Sequence, residues 1–293
     1  MEFSVIVPAY NAETTLSTLL DSLLSQTHKD FEIIVIDDDS RDKTHIIAKS
    51  YYCNLIQLPE NHGPAYCRNV GAKSARGDML VFIDSDCRAD RMWLENIKRH
   101  FSQNVAEAIM GKLILLPSSF LGNSISALGF PAGGAVGFEK IWKVNREGYT
   151  DSLSSCNCAI KKSVFWNVGG FDETFPYPGG EDSLLAFNLR ESKYRIKYCP
   201  DVLVYHQARD SLSDFFSWHF RRGISSYIFS RKISKKKDFL ILRIWSTKNI
   251  IKNYLFDKRF PLILFLLGVS FIMQLVGFLF AKQHKGFYER FNH

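Results

Sequence analysis

The sequence lacks the short glycine-rich loops of common phosphate-binding folds: no GxGxxG or GxxxxGK[ST] pattern follows any predicted strand. This weakens the dinucleotide-binding and P-loop interpretations. The six cysteines show no repeated CxxC pairing, so a zinc site of that type is not indicated. No signal-peptide pattern follows Met1, and we therefore expect the thiols to be reduced.

Hydropathy limits the class of protein further. Hydrophobic residues make up 46% of the 293 residues, too large a share for a disordered chain. The mean hydropathy of −0.09 excludes a protein with many membrane spans. We expect one large domain plus an appendage, or two small domains.

The positive charge is concentrated late in the chain. The formal net charge is +7, which alone would allow a nucleic-acid partner. Residues 1–208 carry a net −4, whereas residues 209–260 hold 13 basic and 4 acidic side chains. No nucleic-acid-binding motif accompanies that stretch, so we expect no nucleic-acid partner.

Short apolar runs alternate with helical patterns through the first part of the chain. We predict strands at 3–7, 31–36, 55–58, 79–83, 108–116, 195–197 and 202–205, the last two flanking a turn at Pro200. We predict helices at 11–25, 42–51, 64–75, 90–101 and 181–192. This order predicts an α/β fold with a mixed, mostly parallel sheet and flanking helices. Residues 117–150 show no clear period, and their glycines suggest loops or a flap.

Three polar clusters follow predicted strands, at residues 8–11, 37–40 and 84–86. Ligands of such sheets bind outside the carboxyl ends of the strands, so we expect these clusters to converge. Asp84 and Asp86 would point the same way, and two carboxylates share a site at low cost only with a cation. Mg²⁺ or Mn²⁺ with diphosphate oxygens would complete such a shell, although solvated loop acids are the simpler interpretation.

Other acids and one histidine allow two interpretations each. The acids at 37–39 could accept a hydrogen bond from a base or ribose, or Asp39 or Ser40 could cap the next helix. Glu181 and Asp182 open a helix, where an acid either complements the helix dipole or acts as a general base. His206 follows a strand and is either a packed residue or a further metal ligand.

Residues 261–281 form an uncharged run long enough to cross a bilayer as one helix. Lys258 and Arg259 flank one end, and Lys282 and Lys285 the other. The basic, aromatic and apolar stretch before the run suits helices in the membrane interface. The positive-inside rule then predicts a single-pass membrane protein with its main domain in the cytoplasm.

Several ordered motifs together resemble a family 2 glycosyltransferase of the GT-A fold. They are SVIVPAYN at 4–11, DFEIIVIDDDS at 30–40, NHGPAYCRNVG at 61–71, GDMLVFIDSD at 77–86, GGFDE at 169–173 and the acid pair at 181–182. The resemblance covers residues 1–210. It implies an inverting transfer of a sugar from a nucleotide-diphosphate donor.

The resemblance also implies roles for residues of this chain. Donor-binding residues would be Pro8, Ala9, Tyr10, Asp38, Arg68, Asp84 and Ser85. Asp86 and His206 would hold a divalent metal, Mn²⁺ or Mg²⁺, which would stabilise the departing diphosphate. Asp182 would be the catalytic base. On the acceptor side would lie Asn157, Glu181, Arg221 and Arg222.

Two departures from the family pattern bear on the kind of sugar transfer that we expect. Asp39 stands where the family commonly has glycine, and the QxxRW motif of processive synthases is replaced by WHFRRG at 218–223. The missing QxxRW motif and the presence of one candidate transmembrane helix argue against a polymer-extruding synthase. We expect transfer of a single sugar, from a UDP-sugar, to a hydroxyl of a lipid-linked or cell-surface glycan.

The alternatives are a polyprenyl-phosphate sugar synthase and a non-catalytic nucleotide-sugar-binding protein. The predicted organisation is a catalytic domain at 1–210 and a membrane-interface segment at 211–260. A transmembrane helix at 261–281 and a short tail at 282–293 follow. Membrane lipids are therefore expected partners.

Overall fold

A computed structural model describes residues 1–103, 106–233 and 236–284, with the side chains of 236–240 outside the description. The strands there are β1 (Phe3–Ala9), β2 (Phe31–Asp37), β3 (Asn54–Gln57), β4 (Met79–Ile83), β5 (Cys87–Ala89), β6 (Ala108–Leu115), β7 (Tyr149–Thr150), β8 (Asn157–Lys161) and β9 (Ile196–His206). The helices are α1 (Leu16–Leu24), α2 (Thr44–Lys49), α3 (Pro64–Ser74), α4 (Trp93–Ser102), α5 (Phe120–Ser126), α6 (Phe138–Ile141), α7 (Lys162–Asn167), α8 (Glu181–Glu191), α9 (Leu212–Lys232), α10 (Lys236–Tyr254) and α11 (Phe260–Gln283). Residues 285–293, with Lys285 and most of the predicted tail, lie outside the described residues.

The described strands form one mixed sheet in the order β3-β2-β1-β4-β8-β6-β9-β5, with β7 also paired to β9. β1 runs parallel to β2 and β4, and β6 runs parallel to β9. β8 lies antiparallel between β4 and β6. The parallel pairings join more residues than the antiparallel ones, so the predicted mixed, mostly parallel α/β class is confirmed.

The core follows from the two kinds of hydrophobic pattern. The apolar side chains of β1 and β4 are buried on both faces of the sheet, as expected for central strands covered by helices. Leucines of α1 recur at positions 16, 19, 20 and 23, and all four are fully buried. This burial fixes the carboxyl ends of β2, β1 and β4 side by side at one edge of the sheet.

Two predictions about elements were wrong. The strands predicted at 195–197 and 202–205 are one strand, β9, which passes straight through Pro200. The β6–β9 register jumps there, because Gly111 pairs with Cys199 and Lys112 with Leu203. Pro200 therefore lies in a bulge, where its missing N–H costs no ladder hydrogen bond. Residues 117–150 are not only loops, since they contain α5, a 3₁₀ turn, α6 and β7.

The last helices pack on each other and on the sheet domain. At Gly223 of α9 and Gly277 of α11 the helices approach so closely that a Cβ would overlap the backbone of the other helix. α11 exposes an apolar face opposite α9, formed by Leu264, Phe265, Phe271, Ile272, Leu275, Val276 and Leu279. Among the described helices, α11 alone is long and apolar enough to cross a membrane.

Candidate active site

A cleft of about 630 Å³ opens at the carboxyl ends of β1, β2 and β4. The predicted site residues that line it are Pro8, Ala9, Tyr10, Asp38, Arg68, Asp84, Ser85, Asp86, Glu181, Asp182, His206, Arg221 and Arg222. They come from distant parts of the sequence, and the sheet topology brings them together. The cleft extends past the predicted domain boundary at residue 210, because α9 supplies part of its wall.

Asn157 is the exception, and its predicted place on the acceptor side was wrong. Its side chain is fully buried and does not line the cleft. Trp93 Nε1 donates to its Oδ1 at 2.8 Å, and its Nδ2 donates to the carbonyls of Lys112 and Val202, each at 2.9 Å. The amide therefore satisfies the backbone beside the β6–β9 bulge, which is a structural role.

Asp38 lies at the end of β2 and is held by the backbone. Its two carboxylate oxygens accept hydrogen bonds from the amides of His62 and Gly63, each at 2.8 Å. Neither Asp39 nor Ser40 caps α2; instead Asp42 Oδ1 accepts from the Thr44 amide at the start of the helix, at 2.9 Å. Asp38 therefore fixes the loop before α3 against the floor of the cleft.

Arg68 connects the acids of β4 and α8. Its Nη2 donates to Asp84 Oδ1 at 2.7 Å and its Nη1 to Glu181 Oε1 at 3.1 Å, and it is only 2% exposed. Burial works against the Arg68 charge, but Asp84 and Glu181 outweigh it and raise the pKa of the guanidinium. Arg68 therefore carries a charge that these acids already balance.

The two acids that begin α8 differ in availability. Glu181 is buried, and it accepts hydrogen bonds from Arg68 and from the Gly179 amide at 2.7 Å. Burial, helped by the charge of Asp182 and opposed by Arg68, raises the pKa of Glu181 to about 7. Asp182 Oδ1 accepts from the Ser183 amide at 2.7 Å, whereas no described residue hydrogen-bonds its Oδ2. Asp182 is therefore the acid that can receive a proton from a molecule in the cleft.

Asp86 and His206 form a pair that fits a divalent cation. His206 Nε2 lies 3.2 Å from Asp86 Oδ2, and its Nδ1 lies 2.6 Å from the Gln207 carbonyl. To coordinate a metal ion, His206 would keep its ring proton on Nδ1, beside the Gln207 carbonyl, and offer the lone pair of Nε2. Two ligands at right angles on an ion about 2.1 Å away are roughly 3 Å apart, close to this spacing.

Asp86 and His206 also shift each other's pKa, as the two partners of an ion pair do. Burial opposes both charges, but mutual attraction prevails, so the pKa of Asp86 is lowered and that of His206 is raised. Cys87 lies close to both side chains. Burial raises the pKa of its thiol well above the usual value, so it stays protonated and is a poor ligand for a hard cation.

Sequence reasoning missed one wall of the cleft. Phe130, Trp142, Trp218 and Arg209 also line it. The Phe130 ring centroid lies 5.4 Å from that of Trp218 and 6.1 Å from that of Trp142. Phe130 and Trp142 belong to the region without a clear period, so no pattern identified them. Arg209 follows His206 by three residues, and that closeness was the available signal.

Solved structures establish the class of fold. Staphylococcus aureus TarS 1–349 in complex with UDP matches with a TM-score of 0.58 at 21% identity, covering 97% of this chain and 92% of that one. The mannosyltransferase PcManGT from Pyrobaculum calidifontis, in complex with GDP-Man and Mn²⁺, matches with a TM-score of 0.59 at 18% identity, covering 99% and 86%. The chain thus has the GT-A type of mixed α/β fold.

Sequence relatives establish the family. The family model for glycosyl transferase family 2 matches residues 4–169. An uncharacterized glycosyltransferase of Haemophilus influenzae is 41% identical over 219 residues, which is 72% of this chain and 70% of the relative. The chain belongs to glycosyl transferase family 2.

A more distant relative is the pre-mycofactocin glycosyltransferase of Mycobacterium tuberculosis. It is 26% identical over 219 residues, which is 74% of this chain. The chain spans only 45% of the length of that relative.

Proposed function

We propose that this glycosyltransferase moves one sugar from a nucleotide-diphosphate donor to an acceptor hydroxyl, with inversion at the anomeric carbon. The observation that carries the proposal is the free Asp182 Oδ2 in a cleft that also contains the Asp86–His206 pair. A proton acceptor and a candidate metal site in one cleft are what such a transfer needs.

The donor would occupy the strand ends of the cleft, with a UDP-sugar as the expected substrate. Tyr10 is 52% exposed there, so its ring can pack on a planar base. Asp38, Asp84 and Ser85 would surround the nucleoside and ribose with hydrogen-bonding groups. The complexes of TarS with UDP and UDP-GlcNAc and of PcManGT with GDP-Man support a nucleotide-sugar donor.

Asp86 and His206 would hold a divalent ion, Mn²⁺ or Mg²⁺, next to the donor diphosphate. When bound, such an ion stabilises the negative charge that develops on the leaving diphosphate. Arg68 keeps Asp84 oriented through their 2.7 Å contact. The complex of PcManGT with Mn²⁺ supports a divalent cofactor.

Asp182 would act as the general base. Its Oδ2 takes the proton of the acceptor hydroxyl as that oxygen attacks the anomeric carbon from the face opposite the diphosphate. The bond from the anomeric carbon to the diphosphate oxygen breaks, and the configuration inverts. The Ser183 amide donates to Oδ1 and so orients the Asp182 carboxylate in the first turn of α8, where the helix dipole favours an acid.

The acceptor would be a lipid-linked or cell-surface glycan at a membrane. The exposed apolar face of α11 and the 13 basic side chains of residues 209–260 support contact with lipids. In this arrangement α11 anchors the chain and the catalytic domain faces the cytoplasm. The Bacillus subtilis relative GgaB, 28% identical over 225 residues, is named for minor teichoic acid biosynthesis, which agrees with a cell-surface product.

Calorimetric binding of UDP to the purified full chain tests the donor and metal sites. We expect UDP to bind with Mn²⁺ and to bind at least about tenfold more weakly in EDTA or in the Asp86→Asn and His206→Ala variants. Asp30→Asn is the matched control, because Asp30 precedes β2 at the opposite end of the sheet. If the affinity for UDP is the same with Mn²⁺, in EDTA and in both site variants, the proposal is contradicted.

A further inference from the structure

Three arginines gather on the aromatic wall of the cleft. The guanidinium carbons of Arg222 and Arg243 lie 4.2 Å and 5.5 Å from the Phe130 ring centroid. Those of Arg222 and Arg209 lie 4.9 Å and 5.3 Å from the Trp218 ring centroid. We call Arg209, Arg222 and Arg243 the arginine cluster. Two aromatic rings thus hold three cations close together at one side of the site.

No carboxylate pairs with the arginine cluster. Within the described parts of the chain, none of the three forms a salt bridge, and Arg243 donates only to Gln274 Oε1, at 2.9 Å. The Nε atoms of Arg209 and Arg222 are buried and have no hydrogen-bond partner among the described residues. Buried guanidinium groups are normally paired, so these two atoms indicate that a partner from outside the chain completes the site.

Burial and mutual repulsion shift the pKa values in and beside the arginine cluster. Burial lowers the pKa of Arg222, the charges of Asp182 and Glu181 oppose this shift, and Arg209 adds to it. Burial and repulsion from Arg222 lower the pKa of Arg243 to about 10. His219 packs beside the cluster, and its pKa falls to about 3 through burial and the charges of the three arginines.

The position of Arg222 places this charge near the candidate base. Its Nη1 lies only 3.2 Å from the point that a Cβ on Gly179 would occupy, in the turn that precedes Glu181 and Asp182. Arg209 and Arg222 both line the cleft, whereas Arg243 stands behind them, outside the lining. Arg209 also lies near the candidate metal pair, because its charge helps to lower the pKa of Asp86. An anion on Arg222 would therefore lie beside the acceptor hydroxyl.

We propose that the arginine cluster binds a phosphate group carried by the acceptor, close to the hydroxyl that receives the sugar. This inference rests on the proposed function and specifies its acceptor as a phosphate-bearing polyol, glycan or lipid. A guanidinium presents two parallel N–H groups that match two phosphate oxygens, and a phosphate carries enough negative charge to balance several arginines. The Arg222 charge also offsets repulsion between that phosphate and Asp182.

The same chemistry could come from the donor diphosphate, and saturation with UDP separates the two sources. The full chain with saturating UDP and Mn²⁺ is titrated calorimetrically with glycerol 3-phosphate and, as the neutral match, with glycerol. We expect glycerol 3-phosphate to bind this complex and glycerol not to bind. Binding of glycerol 3-phosphate that disappears when UDP is present would assign the cluster to the donor and overturn the inference.

Variants identify the residue responsible. Arg222→Gln should weaken glycerol 3-phosphate binding by at least about tenfold. Arg222→Lys keeps the charge but loses the two parallel N–H groups, so its affinity should lie between those of Arg222→Gln and the wild type. Arg231→Gln is the matched control, because this exposed arginine lies on the same helix, in its last turn. UDP binding measured on each variant shows whether it is folded.

The outcomes separate this inference from the proposed function. Equal responses to glycerol and glycerol 3-phosphate, or an Arg222→Gln variant as tight as the wild type, would overturn the acceptor phosphate site while UDP binding stands. If UDP fails to bind the wild type, the proposed function fails by itself. The glycerol 3-phosphate arm run without UDP then still shows whether the arginine cluster binds phosphate.

Discussion

Replacing Asp182 with asparagine tests the assignment of the base with little change in shape. The amide oxygen can still accept the 2.7 Å hydrogen bond from the Ser183 amide, so the start of α8 should persist. What is lost is the proton acceptor at the second oxygen, to which no described residue donates a hydrogen bond. General base catalysis contributes about 10²- to 10⁴-fold. We therefore expect kcat to fall by that factor, or ~3–5 kcal/mol of barrier.

Initial rates of nucleoside diphosphate release in the presence of acceptor measure this effect, and UDP affinity is measured beside them. Affinity should be unchanged in Asp182→Asn, because Asp182 has no donor-binding role. Glu181→Gln is the contrasting variant, since it weakens the 3.1 Å contact with Arg68 and should lower donor affinity and stability. A kcat of Asp182→Asn within a few-fold of the wild type would refute the assignment. Rapid transfer by that variant to a polyprenyl phosphate would favour the phosphate-acceptor alternative, whose nucleophile is already charged.

The remaining predictions concern stability. Gly277→Ala places a methyl group inside the carbonyl of Phe220 and should cost about 1–3 kcal/mol by overpacking, whereas Gly268→Ala, which meets nothing within 4 Å, should have no such cost in thermal unfolding. Glu32→Gln should cost about 1–2 kcal/mol at pH 7, because the Glu32 carboxylate accepts hydrogen bonds from Ser4 and Arg76. Burial opposes the charge of Glu32, but these bonds outweigh it and lower its pKa below 4.5, so the difference from the wild type should persist above pH 4.5 and close as the pH falls below it. A stability difference between Glu32→Gln and the wild type that grows as the pH falls would contradict this prediction.

The donor side of the site could be predicted from the sequence because topology determines it. Parallel strands end at the same edge of a sheet, so Tyr10, Asp38 and Asp84 converge once β1, β2 and β4 are neighbours. The convergence of these clusters required only short apolar runs followed by polar residues, whereas their roles came from the resemblance to family 2 glycosyltransferases. The role of Asp182 also came from that resemblance, and the structure places this acid in the first turn of α8, at the cleft.

The other wall of the cleft could not be predicted, for physical reasons. Phe130 and Trp142 lie among elements of only two to seven residues, which are stabilised by packing against other parts of the chain and leave no periodic signal. Residues 211–260 were assigned to the membrane interface by charge, and of their arginines only Arg221 and Arg222 were also expected at the site. A count of charges does not say which face of a helix carries them. Asn157 fits a motif position, yet only the structure reveals that the β6–β9 bulge occupies its amide.

The measurement that tests the central claim most directly is sugar transfer itself. Purified full chain with Mn²⁺ is incubated with a panel of nucleotide sugars, and release of nucleoside diphosphate is followed with the wild type and Asp182→Asn in parallel. We predict release from one nucleotide class, UDP-sugars, that stops in EDTA and falls by about 10²- to 10⁴-fold in the variant. If no nucleotide sugar is cleaved or bound, or if the variant is as active as the wild type, the proposed account is contradicted.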